Sequence, residues 1–173
     1  TNLDFMNQAG GYKVFITTSL LPGSGKTFTS LNLAASYALK GKKVLMVDMD
    51  MRMATASGHI TKGNRHTGIA DYLSGNSSDS RSIIIENSVI EGLDFIPVGT
   101  IPPNPAELIL SDKLSGLIEE FRSVYDYIFL DTPPIDIVAE SGVIAGFADM
   151  ALFILRAGQF PKELLPEINA LYD

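Results

Sequence analysis

Apolar residues gather in five runs of strand length, at 13–18, 43–48, 93–98, 127–131 and 150–155. Most of these runs do not alternate apolar with polar. Strands buried on both faces read this way, as in a parallel sheet covered by helices. The segments between them suit crossover helices. The clearest is 26–39, where Leu31, Leu33, Ala34, Ala38 and Leu39 are apolar and Gly41 supplies a stop. Residues 106–122 read as helix in two pieces, broken near Ser111 and Asp112. Residues 140–147 and 162–171 read as helix too, the second interrupted by Pro166. The polar stretch 53–66 reads as a long loop. Strand and helix in alternation give right-handed βαβ units, hence an α/β fold of three layers around a mainly parallel sheet. No repeat or linker divides the chain, so 1–173 is expected to be one domain. Residues 1–9 read as the tail of a helix, and the helix at 162–171 would lead into a further strand. The chain is therefore expected to be a piece of a longer protein.

Of the 173 residues, 46% are hydrophobic and 19% charged, the balance of a folded chain with a full core. The net charge of −7 and sequence pI of about 4.7 argue against nucleic acid as a partner, since such proteins present a basic face. The absence of cysteine excludes disulfides, thiolate metal sites and thiol nucleophiles together. His59 and His66 stand among Gly, Thr and Lys and read as solvated loop residues rather than metal ligands. The best candidate for a membrane span, 143–155, is short and carries Asp149. No charged-then-apolar leader pattern opens the chain, and the piece is expected to be soluble.

The first strand runs into Ser19-Leu-Leu-Pro-Gly-Ser-Gly-Lys-Thr27 and then into a helix. A loop that wraps a polyphosphate must aim several backbone N–H groups at it. Gly23 and Gly25 give the backbone that freedom and leave no side chain in the way. The positive end of the following helix attracts anions. Lys26 can reach the β- and γ-phosphates, and the Thr27 hydroxyl can ligate Mg²⁺. The nucleotide-binding set is thus Pro22, Gly23, Ser24, Gly25, Lys26, Thr27 and Phe28, for ATP and its product ADP. Leu20 stands where the usual pattern has its first Gly.

Three carboxylates end apolar strands. Asp48 and Asp50 close the second in Val47-Asp-Met-Asp-Met-Arg52, and Asp131 closes the fourth in Ile128-Phe-Leu-Asp-Thr-Pro-Pro134. Residues two apart on an extended chain point the same way, so both members of the first pair are expected to face the mouth of the sheet. Open α/β sheets bind ligands at that edge. A strand-terminal aspartate can instead cap a helix or turn the chain. With a phosphate loop upstream, Asp131 is expected to help hold Mg²⁺ together with Thr27 and Asp48.

These residues together resemble the bacterial tyrosine kinases, the cytoplasmic kinase domains of capsule and exopolysaccharide biosynthesis proteins. Residues 18–27 match the family's T-S-x-x-P-G-x-G-K-S/T, in which the first Gly is absent. Asp48, Asp50 and Arg52 match its D-x-D-x-R, and residues 125–134 its Y-D-x-apolar-apolar-apolar-D-T-P-P. Residues 102–109 match P-P-N-P-x-E-L-L with Ile109 in the last place, and 68–75 match G-x-x-D-Y-L-S-G. Partition and division-site ATPases place a second lysine early in the loop, where this chain has Leu21. The resemblance implies a phosphate loop over 23–26, Mg²⁺ organised by Thr27 and Asp131, and Asp48 and Asp50 beside the γ-phosphate. Catalysis would then rest on Lys26, Asp48, Asp50 and Asp131, with Asp48 the expected base for a tyrosine hydroxyl. Arg156, after the fifth strand, is the candidate for an adenine contact.

The resemblance also implies a ring of copies, a tyrosine-rich tail phosphorylated in trans and attachment to a membrane polysaccharide co-polymerase. Thr1-Asn2-Leu3 looks like the stretch just after the family's ring-packing helix. The six tyrosines, Tyr12, Tyr37, Tyr72, Tyr125, Tyr127 and Tyr172, form no such tail. A family Asp after the D-T-P-P motif appears here as Glu140. An ATPase switch that controls assembly on a surface, and a nucleotide-sensing module without catalysis, are the competing expectations.

Overall fold

In the computed structural model, residues 11–134 and 140–159 are described. The expected helices at 1–9 and 162–171 lie outside them. Among the described residues, five strands form one sheet in the order β3-β2-β4-β1-β5, every pairing parallel. They are β1 Val14–Thr18, β2 Val44–Asp48, β3 Leu93–Ile96, β4 Tyr127–Asp131 and β5 Met150–Phe153. All five expected strands are present, four of them one or two residues shorter than their apolar runs. β3 stops before Pro97, which has no N–H to give a ladder.

Six helices accompany them among the described residues: α1 Lys26–Ala38, α2 Thr55–Thr61, α3 Ile69–Leu73, α4 Pro105–Ile109, α5 Asp112–Val124 and α6 Glu140–Ala145. The break expected near Ser111 separates α4 from α5. Gly41, at φ +77°, ends α1 as expected. The expectation of a loop throughout 53–66 is corrected by α2. Its sequence, Thr-Ala-Ser-Gly-His-Ile-Thr, shows no apolar stripe, and only Ala56 and Ile60, four apart, reach the core. Tertiary contacts hold this short helix where propensity alone would not.

Side chains alternate across the sheet and build one core on each face. Val14, Ile16, Leu45, Val47, Ile128 and Leu130 face α5, which offers Leu114, Leu117, Ile118 and Phe121 at helical spacing. Phe15, Met46, Phe95 and Phe129 face α1 through Ala34, Tyr37 and Ala38. The result is the expected three-layer α/β fold. Asp149 ties the first strand to the last: its Oδ2 accepts the N–H groups of Lys13 and Val14, each at 2.8 Å. Arg122 on α5 reaches the same carboxylate at 2.9 Å. The charge that breaks the apolar run 143–155 is therefore a structural clasp. No helix among the described residues is long and apolar enough to cross a membrane.

Candidate active site

The loops that leave β1, β2 and β4 emerge at the same C-terminal edge of the sheet, because all strands run parallel. With β4 paired to both β1 and β2, this edge gathers the segments that carry the sequence motifs. The loop after β1 folds back on itself: the hydroxyls of Ser19 and Ser24 both donate to the carbonyl of Leu21, each at 2.7 Å. Gly23 and Gly25 take φ of +73° and +96°, the left-handed region that glycine enters without strain. A Cβ on Gly25 would meet open space, so its backbone conformation, and not crowding by protein, is what requires glycine there. Lys26 begins α1 directly after it, which leaves the first N–H groups of the helix at the loop.

Asp131 ends β4 and is 2% exposed. Thr27 Oγ1 donates to its Oδ2 at 2.6 Å, and Ser30 Oγ to its Oδ1 at 3.4 Å. Burial pushes its carboxyl up to about 7, the charge of Asp48 adds to the rise, and Thr27, Lys26 and Ser30 oppose it. Asp48 is the register partner of Asp131 on β2. It is fully buried. Burial raises its carboxyl to about 6 against hydrogen bonds from Ser57 and Asp50. For Lys26, burial lowers the ammonium, while Asp131 and Asp50 act in the opposite sense.

Alternation along β2 led to the expectation that Asp48 and Asp50 both face the mouth. Only Asp50 lines the cleft. Asp48 is folded under α2: its Oδ2 accepts the N–H and the hydroxyl of Ser57, both at 2.7 Å, and its Oδ1 accepts the N–H of Asp50 at 3.1 Å. Ser57 Oγ in turn accepts the N–H of Val98 at 2.8 Å. The strand has ended at Asp48, so the period of two no longer governs Asp50.

One cleft of about 490 Å³ is lined by Pro22, Gly23, Gly25, Lys26, Thr27 and Phe28 from the first segment. Asp50, Arg52, Met53 and Thr55 come from the second, and Asp131 to Pro134 from the third. Arg156 is exposed, with Nη1 3.3 Å from the carbonyl of Gly23, and Gln159 donates to the carbonyl of Pro22 at 2.9 Å. Sequence motifs did not reveal Ser30, Met53, Ser57 or Gln159. Ser30 alone had a signal, lying one turn past Thr27 on the same helix face. A second cleft, of about 510 Å³, lies beyond α2 and carries Arg65 and His66. It includes no member of the phosphate loop and no carboxylate.

The cleft suits a triphosphate with a hard divalent cation. Two carboxylates raised by burial, Asp131 further by the charge of Asp48, mark negative charge short of a counter-ion, and hydroxyl and carboxylate oxygens are the donors Mg²⁺ takes. Among the described residues no group of three or more His, Cys, Asp or Glu could hold a metal by itself. A cation here would share its coordination with phosphate oxygens, the usual arrangement for Mg²⁺.

Known proteins share both the sequence and this geometry. The AAA domain family matches residues 16–168. A putative tyrosine-protein kinase EpsB of Ralstonia solanacearum is 39% identical over 98% of this chain. Tyrosine-protein kinase CpsD of Streptococcus agalactiae serotype III is 36% identical over 94% of this chain and 68% of its own length. The chain belongs to the bacterial tyrosine kinase family. The solved kinase domain of Escherichia coli tyrosine kinase ETK superposes on this family member with a TM-score of 0.88, at 31% identity, over 98% of this chain and 66% of that one. The septum site-determining protein MinD of Pyrococcus horikoshii shares the fold more distantly, with a TM-score of 0.68 at 24% identity. The chain spans 22% of the length of the EpsB relative.

Proposed function

We propose that this chain is the catalytic domain of an ATP-dependent protein-tyrosine kinase. The observation that carries the reading is the convergence of Lys26, Thr27, Asp50 and Asp131 on one cleft, with Asp48 packed behind. In this reading the N–H groups of residues 23–27 and the Lys26 ammonium bind the β- and γ-phosphates. Thr27 and Asp131, with Asp48 behind them, would hold Mg²⁺, which would neutralise charge on the phosphate oxygens. The tyrosine oxygen forms a bond to the γ-phosphorus. The bond from that phosphorus to the bridging oxygen breaks, and ADP leaves with the electron pair. The tyrosine proton passes to the Asp48–Asp50 pair. Asp50 stands in the cleft, and Asp48 reaches it when Ser57 releases Oδ2. Arg156, beside the phosphate loop, is the candidate for the adenine side.

The tyrosines phosphorylated are on another copy of the protein, arranged in a ring, and the kinase serves capsule or exopolysaccharide polymerisation and export next to the inner membrane. Support for this comes from the motif resemblance and from the names of the relatives. Leu21, where switch ATPases carry lysine, favours a kinase over that alternative.

Labelled Mg·ATP offered to the purified protein with a tyrosine peptide tests the reading. Label on tyrosine is expected, with a loss of at least about a hundredfold in Lys26→Met. Asp48→Asn and Asp50→Asn identify the base by which of them stops transfer while retaining Mg·ATP binding. Release of free phosphate with no labelled tyrosine would replace the kinase with the switch ATPase.

A further inference from the structure

Two large apolar side chains of this protein add nothing to its core. Phe28, on the first turn of α1, is 73% exposed, and Met53, in the turn between β2 and α2, is 74% exposed. Neither belongs to the hydrophobic cluster on either face of the sheet. Other exposed large hydrophobics among the described residues, such as Leu39, Leu110 and Leu155, do not line the cleft that holds Lys26, Asp50 and Asp131. Phe28 and Met53 both line it, and Pro133 and Pro134 complete an apolar side to the same space. The cleft therefore has a floor of cation, hydroxyl and carboxylate, and a rim of hydrocarbon, ring and thioether.

Phe28 stands in the expected nucleotide-binding set by its place on the first turn of α1, but a hydrocarbon side chain offers nothing to phosphates, which are bound by donors and positive charge. The rim matches a ligand with an apolar body and a polar tip. Among hydroxyl side chains only tyrosine has that form, since serine and threonine carry their oxygen on a short stem. We propose that Phe28 and Met53 are the clamp that grips the ring of the acceptor tyrosine and selects it over serine and threonine. The inference rests on the kinase reading above and adds the residues that set its acceptor specificity. Phe28 offers a ring for offset or edge contact. Met53 offers a flexible thioether that adapts to a ring edge. Both are carried by segments that also build the floor. Phe28 follows Lys26 and Thr27 on α1, and the N–H of Met53 donates to Asp50 Oδ1 at 3.1 Å. A ring gripped at the rim thus presents its oxygen to the γ-phosphorus and its proton to the carboxylates below. Water is excluded from the approach at the same time.

Steady-state kinetics on the full-length protein with Mg·ATP and two peptides, identical except for Tyr or Ser at the acceptor position, test this. Phe28→Ala and Met53→Ala should each raise the KM for the tyrosine peptide about tenfold and narrow the Tyr-over-Ser preference to a similar degree. Met53→Leu should restore most of the preference, because volume and apolarity are kept. The KM for ATP should stay within about twofold in Met53→Ala. Unchanged peptide KM and preference in both alanine variants overturn the clamp. So does a loss confined to the KM for ATP, which would seat the nucleoside on the rim, or a loss that tracks dissociation of copies in sedimentation, which would make the rim an interface. In each of these cases the wild type still labels tyrosine, so the kinase reading survives. A wild type that labels no tyrosine removes both.

Discussion

Ser57 links the ends of two strands through one hydroxyl. It donates to Asp48 at the end of β2 and accepts the N–H of Val98 just past β3. Ser57→Ala leaves a buried carboxylate with one partner fewer and a buried N–H with none, and an unmet buried donor costs about 1–3 kcal/mol. A loss of about 2 kcal/mol in urea unfolding is expected, with Ser57→Thr recovering most of it. An equal midpoint for wild type and Ser57→Ala would show that this hydroxyl holds nothing. No motif pointed to Ser57, since nothing in a run of Thr, Ala, Ser and Gly singles out a residue whose partners are nine and 41 positions away. Lys26, Thr27, Asp48, Asp50 and Asp131 were legible because each lies in a local pattern, a glycine loop that opens a helix or acids at the close of an apolar run. Which carboxylate opens to the cleft was not legible, because it depends on where α2 sits.

Elements show the same division. The five strands and α1 could be read from apolar runs and punctuation. The helix α2 could not, being short, polar and stabilised by Asp48 rather than by its own periodicity. The G-x-x-D segment carries no local signal beyond its match to the family pattern, and its physical meaning is tertiary. Asp71 Oδ2 accepts the N–H groups of Gly68 at 2.9 Å and Thr100 at 3.1 Å. The start of α3 is thereby locked to the chain leaving β3, where Ile69 N–H also donates to the Pro97 carbonyl at 2.9 Å. A Cβ on Gly68 would lie 2.2 Å from that carbonyl oxygen. Gly68→Ala must therefore push these backbone segments apart and is expected to cost about 3 kcal/mol. Gly116→Ala, on the exposed face of α5 with nothing within 4 Å of the new methyl, should instead stabilise by about 1 kcal/mol. Chemical denaturation of the two variants side by side checks this, and a shared sign would contradict it.

At the scale of the molecule, the carboxylates make stability depend on pH in an unusual direction. Asp131 and Asp48 titrate near 7 and 6 in the fold, against an ordinary value of 3.8. Between those limits the native chain holds more protons than the unfolded one, so the ligand-free protein gains stability as pH falls from about 7 toward about 4. Asp149 works the other way. Burial tends to raise it, but Arg122 and the N–H groups of Val14 and Lys13 outweigh burial and hold it low. Its contribution is present above 3.8 and is lost on further acidification. This clasp is partly exposed and screened by solvent, so its effect is small. In the proposed site Mg·ATP would bind beside ionised Asp131 and Asp48, so its affinity should decline as pH drops below about 7. Thermal melts from pH 5 to 8 (about the range set by these values), with and without Mg·ATP, should show the ligand-induced gain shrinking on the acid side. A gain that grows there would contradict the burial of these groups.

What the sequence determined by itself was everything that short-range pattern controls: strand runs buried on both faces, a glycine loop before a lysine and a helix, acids at strand ends. Each of these follows from neighbours in the chain, through backbone freedom and side-chain alternation. The tertiary structure decided which acid is sequestered and which is presented. It also decided that a polar stretch becomes a helix, and that two apolar side chains far apart in sequence share one rim. Those outcomes depend on burial and on hydrogen bonds between distant segments, and their energies exist only once the sheet has brought the segments together.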